Sequence, residues 1–219
     1  MINRHKSLSL ADYIFEKLET DVLSGVYAYG EVLTEARLSE ELGVSRTPIR
    51  EAIKRLMQEN LVQETAKGVT VLGITKKDIE DIFDIRERLE GFAAALAAKN
   101  ATEEDKDNLK QILDLQEFYT TKSDAERIKN MDSDFHSLLY NACGSPILAN
   151  TLLPLHKKVQ KYRKTSVSDG SRAQRSVDEH RAILDAILSG DAEKAERVTL
   201  EHIRNARESI LVRRKQNWD

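Results

Sequence analysis

The sequence predicts a mainly α protein: an N-terminal winged helix-turn-helix followed by an all-α helical bundle. Three features of the chain point there. Residues 34–62 read as a short helix, a glycine turn and a second helix that opens on hydroxyl and arginine side chains. Two short β-prone runs follow at once. From about residue 74 onward only helical periodicity is seen.

Taken in order, residues 8–24 place Leu10, Ile14, Leu18 and Val22 at helical spacing, with Tyr13 and Leu23 beside them. The stretch from Gly25 to Gly30 breaks this first helix. Leu38 and Leu42 give the next helix an apolar edge, and Gly43 can take the left-handed conformation that ends it. Ser45 stands where an N-cap belongs. Pro48 falls in the first turn of the third helix, where a missing N–H costs nothing. Ile49, Ile53 and Leu56 form the buried stripe of that helix, and Arg46, Thr47, Arg50 and Lys54 lie on the opposite, exposed side. Leu61–Thr65 and Val69–Leu72, joined by Ala66, Lys67 and Gly68, read as a hairpin. A boundary at Gly73 divides the chain into domains 1–73 and 74–219. In the second, helices are expected near 76–98, 103–120, 124–142, 146–165, 173–189 and 191–215. Thr102, Ser123, Ser145 and Asp191 serve as starts, and Gly144, Gly170 and Gly190 as breaks.

Composition narrows the class. Hydrophobic residues make up 40% and charged residues 32%, as in a helix-rich soluble protein, and only three prolines and nine glycines leave little room for many short strands. The formal net charge of −3 does not itself suggest a polyanionic partner. Charge is uneven, however: residues 46–55 hold Arg46, Arg50, Lys54 and Arg55 against Glu51 alone. Local charge decides nucleic-acid contact. A helix with arginines on the exposed face of its first turns fits a DNA major groove. Cys143 is the only cysteine, which excludes a disulfide framework and a thiolate zinc finger. No apolar run reaches the length of a membrane span and no signal-peptide core opens the chain, so a cytoplasmic location is expected.

The second domain carries a group of candidate metal ligands. Asp132 and His136 are four apart on one helix and project from the same face, which also bears Phe135 and Leu139. An ionised aspartate beside a core phenylalanine needs compensation. His180 shares a stripe with Val177, Ile183, Leu184 and Ile187, and His202 shares one with Val198 and Ala206. One carboxylate and three imidazoles on inward stripes can close around a divalent cation: zinc first, with nickel, manganese and iron also suited. The alternative is that each histidine is a satisfied core residue, the commoner fate of a single buried imidazole. Arg86 lies on the inward stripe Ile79, Ile82, Phe83, Arg86, Leu89, Ala93. It could grip a carboxylate ligand through two parallel hydrogen bonds or pair internally with Glu90 at i,i+4.

The stretch Leu42-Gly43-Val44-Ser45-Arg46-Thr47-Pro48-Ile49-Arg50-Glu51-Ala52-Ile53 closely resembles the DNA-reading segment of GntR-family transcription regulators of the FadR-like branch. The second half resembles their all-helical FCD effector domain in its six-helix form. The resemblance implies an Asp-x-x-x-His ligand pair followed by histidines in the last two helices, and Asp132, His136, His180 and His202 match that pattern one by one. His156 has no counterpart and reads as ordinary core or rim, and His5 lies near the N-terminus. The resemblance further implies a small organic acid held against the metal, with Arg86 completing an anion site. Two departures stand out: Ala36 occupies a position where members often carry arginine, with Arg37 one place later, and Tyr29 replaces a common proline. The first puts one DNA contact in question.

The functional expectation is a homodimeric regulator, since two symmetric reading helices match a palindromic operator. It would be a repressor or an activator whose grip on double-stranded DNA an effector shifts. Arg46 and Arg50 are assigned to guanine edges or phosphates, and Ser45 and Thr47 to phosphate at the helix N-terminus. Arg37 and Lys54 are assigned to the DNA backbone, and Lys67 to the wing tip. For Lys54 and Arg55 a merely solvated helix surface is the alternative. Two rivals keep the same residues: a metal-dependent enzyme acting on a small carboxylic acid, and a DNA-binding regulator with a purely structural metal. The Arg213-Arg214-Lys215 run complements the negative end of the last helix, and Trp218 carries no assignment.

Overall fold

A computed structural model describes residues 9–163 and 170–213. His5, Arg214, Lys215 and Trp218 lie outside the described residues. The chain divides into two compact units, Met1–Thr75 and Lys76–Asp219.

In the first unit, α1 (Leu10–Ser24) starts at a capping box in which the Ser9 hydroxyl accepts from the Asp12 N–H and the Asp12 carboxylate accepts from the Ser9 N–H. Gly25, left-handed at φ 79°, ends it. Ile14, Leu18 and Val22 are buried, but Leu10 and Tyr13 are more than half exposed, so the apolar face starts one turn later than its spacing suggests. After a short strand β1 (Val32–Leu33) come α2 (Glu35–Leu42) and α3 (Arg46–Gln58), joined through left-handed Gly43 at φ 64°. Leu38, Ile49, Ala52 and Leu56 close the core against α1, each side chain contributing about 1.5–3 kcal/mol where it is large and fully buried.

The wing is β2 (Val62–Thr65) and β3 (Gly68–Val71). The sheet has three strands rather than the expected two, in the order β1-β3-β2, all antiparallel, with Val32 opposite Thr70 and Leu33 opposite Val69. Two residues are too few to show alternation, so β1 left no periodic signal. Leu33 is buried, and a side-chain carbon added at Gly68 would sit 2.3 Å from the Leu33 carbonyl oxygen. With φ at 140° as well, that corner of the wing requires glycine.

The second unit consists, among the described residues, of α4 (Lys76–Asn100), α5 (Glu103–Thr121), α6 (Ala125–Ala142), α7 (Pro146–Arg163), α8 (Gly170–Leu188) and α9 (Ala192–Arg213). Thr102 caps α5 through a full capping box. Asp124, not Ser123, caps α6; Ser123 instead takes a positive φ of 53° in the preceding turn. Gly144 and Gly190 interrupt the chain in left-handed conformations as expected, and α8 begins at Gly170. Ala93, Ala94 and Ala97 are fully buried on α4, and Gly91 lies so close to Leu200 and Glu196 of α9 that an added methyl would meet them at 3.1–3.2 Å. Small residues thus let the first and last helices of the bundle pack at short range. The core around Leu109, Phe135, Leu139, Leu152, Ile183 and Ile187 surrounds a set of polar side chains.

Candidate functional site

The first unit presents its cations at the start of α3 and on the wing. Ser45 occupies the N-cap position with extended backbone, but its hydroxyl makes no cap hydrogen bond, so the α3 N-terminus keeps its orphan amides turned outward with Thr47 and Arg46 exposed beside them. Arg50 is exposed and bound side-on by Glu35: Nε donates to Oε1 at 2.8 Å and Nη2 to Oε2 at 2.8 Å. The Arg50 guanidinium holds the Glu35 carboxyl below its usual range. Arg37 is clasped by Glu41 and Glu31 at 2.6 and 2.7 Å. Its positive charge is therefore largely answered within the protein, unlike a freely presented backbone-binding arginine. Arg55 meets Asp12 at 2.6 Å and lies over the Phe15 ring, which makes it part of the α1–α3 contact rather than a solvated surface. Lys54 and Lys67 are exposed.

In the second unit all five expected residues are buried: Arg86, Asp132, His136, His180 and His202 each show 2% exposure or less. The Nε2 atoms of His136 and His202 are 3.3 Å apart, and ligand atoms of His136, His180 and His202 all lie within 4.8 Å of one another. Asp132 Oδ1 stands 3.8 Å from His180 Nε2. Two of the imidazoles are hydrogen-bonded from behind through Nδ1, His202 to Glu179 Oε2 at 2.7 Å and His180 to Gln116 Oε1 at 2.8 Å, while His136 Nδ1 faces both Glu90 Oε2 and the Tyr140 hydroxyl at 3.4 Å. A carboxylate or carbonyl oxygen only accepts, so in His202 and His180 it draws the proton to Nδ1 and leaves the Nε2 lone pair facing the centre.

His156, left to ordinary core by its sequence context, is buried and part of this cluster. Its ring lies 4.4 Å from that of His136, and its Nε2 is 3.8 Å from Asp132 Oδ2. Its Nδ1 faces Arg86 Nη2 at 3.3 Å. A guanidinium only donates, so Nδ1 must accept and the proton sits on Nε2, the reverse of His180 and His202. Burial, together with the Arg86 charge beside it, pushes the His156 pKa well down and keeps the ring neutral. Arg86 also donates through Nε to Glu90 in the i,i+4 pair. Burial alone would raise the Glu90 carboxyl, but Arg86 and His136 override it and hold it well below the carboxylate range. Glu90, Gln116 and Glu179 were not singled out as site residues. Gln116 gave the plainest signal, a polar residue in register with Leu109 and Leu113 on the buried face of α5.

A winged helix-turn-helix with exposed arginines on its reading helix, carried in one chain with a helical domain around a buried polar centre, defines a class of DNA-binding regulator. Residues 10–71 match the bacterial regulatory proteins of the gntR family, and residues 81–205 match the FCD domain. The chain belongs to the GntR family, in its FCD-bearing branch. It is 30% identical to the Uxu operon regulator of Haemophilus influenzae over 90% of this chain and 80% of that protein. It is 27% identical to the gluconate operon transcriptional repressor of Bacillus licheniformis over 80% of this chain and 74% of that one. Among solved structures, E. coli McbR/YncC superposes with a TM-score of 0.76 at 26% identity, covering 95% of this chain and 98% of the other. The protein is thus a DNA-binding transcriptional regulator and not an enzyme. No helix among the described residues is long and apolar enough to cross a membrane.

Proposed function

We propose that this protein is a cytoplasmic, homodimeric repressor whose operator affinity is set by a divalent cation and a small organic acid in the second domain. Arg46 and Arg50 read guanine edges, Ser45 and Thr47 meet phosphate, and Lys54 and Lys67 add backbone contacts. Arg37 adds a weaker one, because Glu31 and Glu41 share its charge. His136, His180, His202 and Asp132 would hold the cation, which would act as a Lewis-acid anchor for an anionic ligand.

The observation carrying this reading is the 3.3 Å between the Nε2 atoms of His136 and His202. With the His202 Nδ1 proton directed at Glu179, its Nε2 lone pair faces His136 Nε2, a spacing that a shared cation would satisfy. Two nitrogens each ~2.0–2.1 Å from one zinc at the tetrahedral angle are separated by about 3.3 Å. The outer Gln116 and Glu179 supply the backing that metal-binding histidines ordinarily have. The names of relatives that govern gluconate and Uxu operons favour a sugar acid or similar small acid as effector.

Zinc added to chelator-treated protein should raise its stability, by about 2.7 kcal/mol at free metal a hundredfold above Kd. His180→Ala or His202→Ala should abolish the gain in thermal or urea denaturation. An unchanged melting curve in the wild type removes the cation from the account. One observation favours a metal without an effector: Glu90 already occupies the Arg86 guanidinium, so that arginine is not openly presented to a ligand. Gel-shift titrations with gluconate and a panel of small hydroxy and keto acids separate the two. Operator affinity unmoved by every acid, with zinc still stabilising, leaves the metal structural.

A further inference from the structure

The side of the Arg50 guanidinium that Glu35 occupies carries a further consequence for DNA reading. A guanidinium has two edges that can each offer a pair of parallel N–H groups, one formed by Nε and Nη2 and the other by Nη1 and Nη2. Glu35 takes the first pair, with both bonds at 2.8 Å. The second pair, at the tip, is the one that matches guanine O6 and N7 in the major groove. The Arg50 side chain remains 57% exposed in this arrangement, and Glu35, at 34%, lies behind it at the first position of α2. The Thr34 side chain accepts from the Arg37 N–H and caps α2, which fixes the helix turn from which Glu35 projects.

We infer that Glu35 is a positioning residue for base recognition: it holds Arg50 side-on so that only the tip of the guanidinium is offered to DNA. This rests on the assignment of Arg50 to a base edge made above. A long arginine left to itself must give up rotamer freedom on binding, and it can satisfy itself on any phosphate. The carboxylate removes that freedom in advance and half-neutralises the charge that would seek phosphate. It therefore favours a partner with two acceptors in one plane. The other carboxylate–arginine contacts of this unit, Glu41 and Glu31 on Arg37 and Asp12 on Arg55, involve cations off the reading face of α3 or at its far end.

The test is binding of full-length protein to a duplex chosen from a random pool by the wild type, to the same duplex with each base pair of the half-site replaced in turn, and to random-sequence DNA. Glu35→Gln should lower discrimination at one guanine position about tenfold, within the range of a bidentate arginine–guanine pair, while its affinity for random DNA holds or rises. Glu40→Gln, which removes the same charge from α2 with Glu40 exposed, should leave that discrimination intact. In an Arg50→Ala background, Glu35→Gln should change nothing at that position. Matching thermal melts of each variant separate loss of reading from loss of fold. Discrimination unchanged in Glu35→Gln, or lost equally in the Arg50→Ala background, overturns the role of Glu35. If Arg50→Ala alone leaves every position as well discriminated as the wild type, the assignment of Arg50 to a base fails instead.

Discussion

Arg50–Glu35 in the first unit and Arg86–Glu90 in the second are made of the same two side chains and serve opposite ends. The first is open to water, bidentate and spans two helices; the second is a single turn of α4 with both side chains 3% exposed or less. Exposed pairs are worth roughly 0–1 kcal/mol, because water competes for both partners. Such a pair also leaves the other edge of its guanidinium open to a further acceptor. A buried pair has been stripped of water, and neither partner can leave without stranding the other. The first unit thus keeps its charges where DNA can reach their free edge, and the second locks them within a cluster of imidazoles.

The largest expected effect probes the locked pair. Glu90→Leu strands the Arg86 charge in the core and should cost about 3–5 kcal/mol in urea denaturation of the second unit, against at most about 1 kcal/mol for Glu35→Gln in the first. Similar losses from the two would dissolve the contrast. Next, Arg46→Ala should lower operator discrimination by about 1–3 kcal/mol in a binding titration while shifting stability by less than about 0.5 kcal/mol. A stability loss of the same size as the binding loss would mean that the reading helix is braced by the residues it presents. The smallest effect concerns the helix starts. Thr102→Ala, which removes a hydroxyl that caps α5, should cost about 1 kcal/mol. Ser45→Ala, whose hydroxyl makes no cap bond, should cost less than about 0.5 kcal/mol in melting yet weaken DNA binding. Equal melting losses would show that Ser45 serves the helix rather than the groove.

The longer helices were legible where an apolar stripe follows a hydroxyl or carboxylate, as after Thr102 in α5. Strand β1 was not, since Val32 and Leu33 become a strand only by pairing with Thr70 and Val69, far along the chain. The same division holds at the site. Asp132 and His136 could be read together because four residues on one helix are neighbours in space. His180 and His202 joined them through the family pattern. Glu179 and His156 had no local mark of their role, and Gln116 only its polar place on a buried stripe, because the partner each one meets comes from a different helix. A glutamate next to His180 in sequence turns out to orient His202 instead, a relation that no periodicity encodes. The Arg86–Glu90 pair was legible as an alternative, and its spacing made it so; what spacing could not tell was that His156 would take the remaining side of Arg86.

The polar centre draws on the whole set of helices in its unit: Arg86 and Glu90 from α4, Gln116 from α5, Asp132 and His136 from α6, His156 from α7, Glu179 and His180 from α8, and His202 from α9. Trimming the fragment at either end deletes a member, since its opening rod supplies the arginine and its closing rod the last imidazole. Excision, swapping or permutation of single helices among related regulators therefore has no neutral position here. Grafting this module onto another DNA-binding head would have to move it whole.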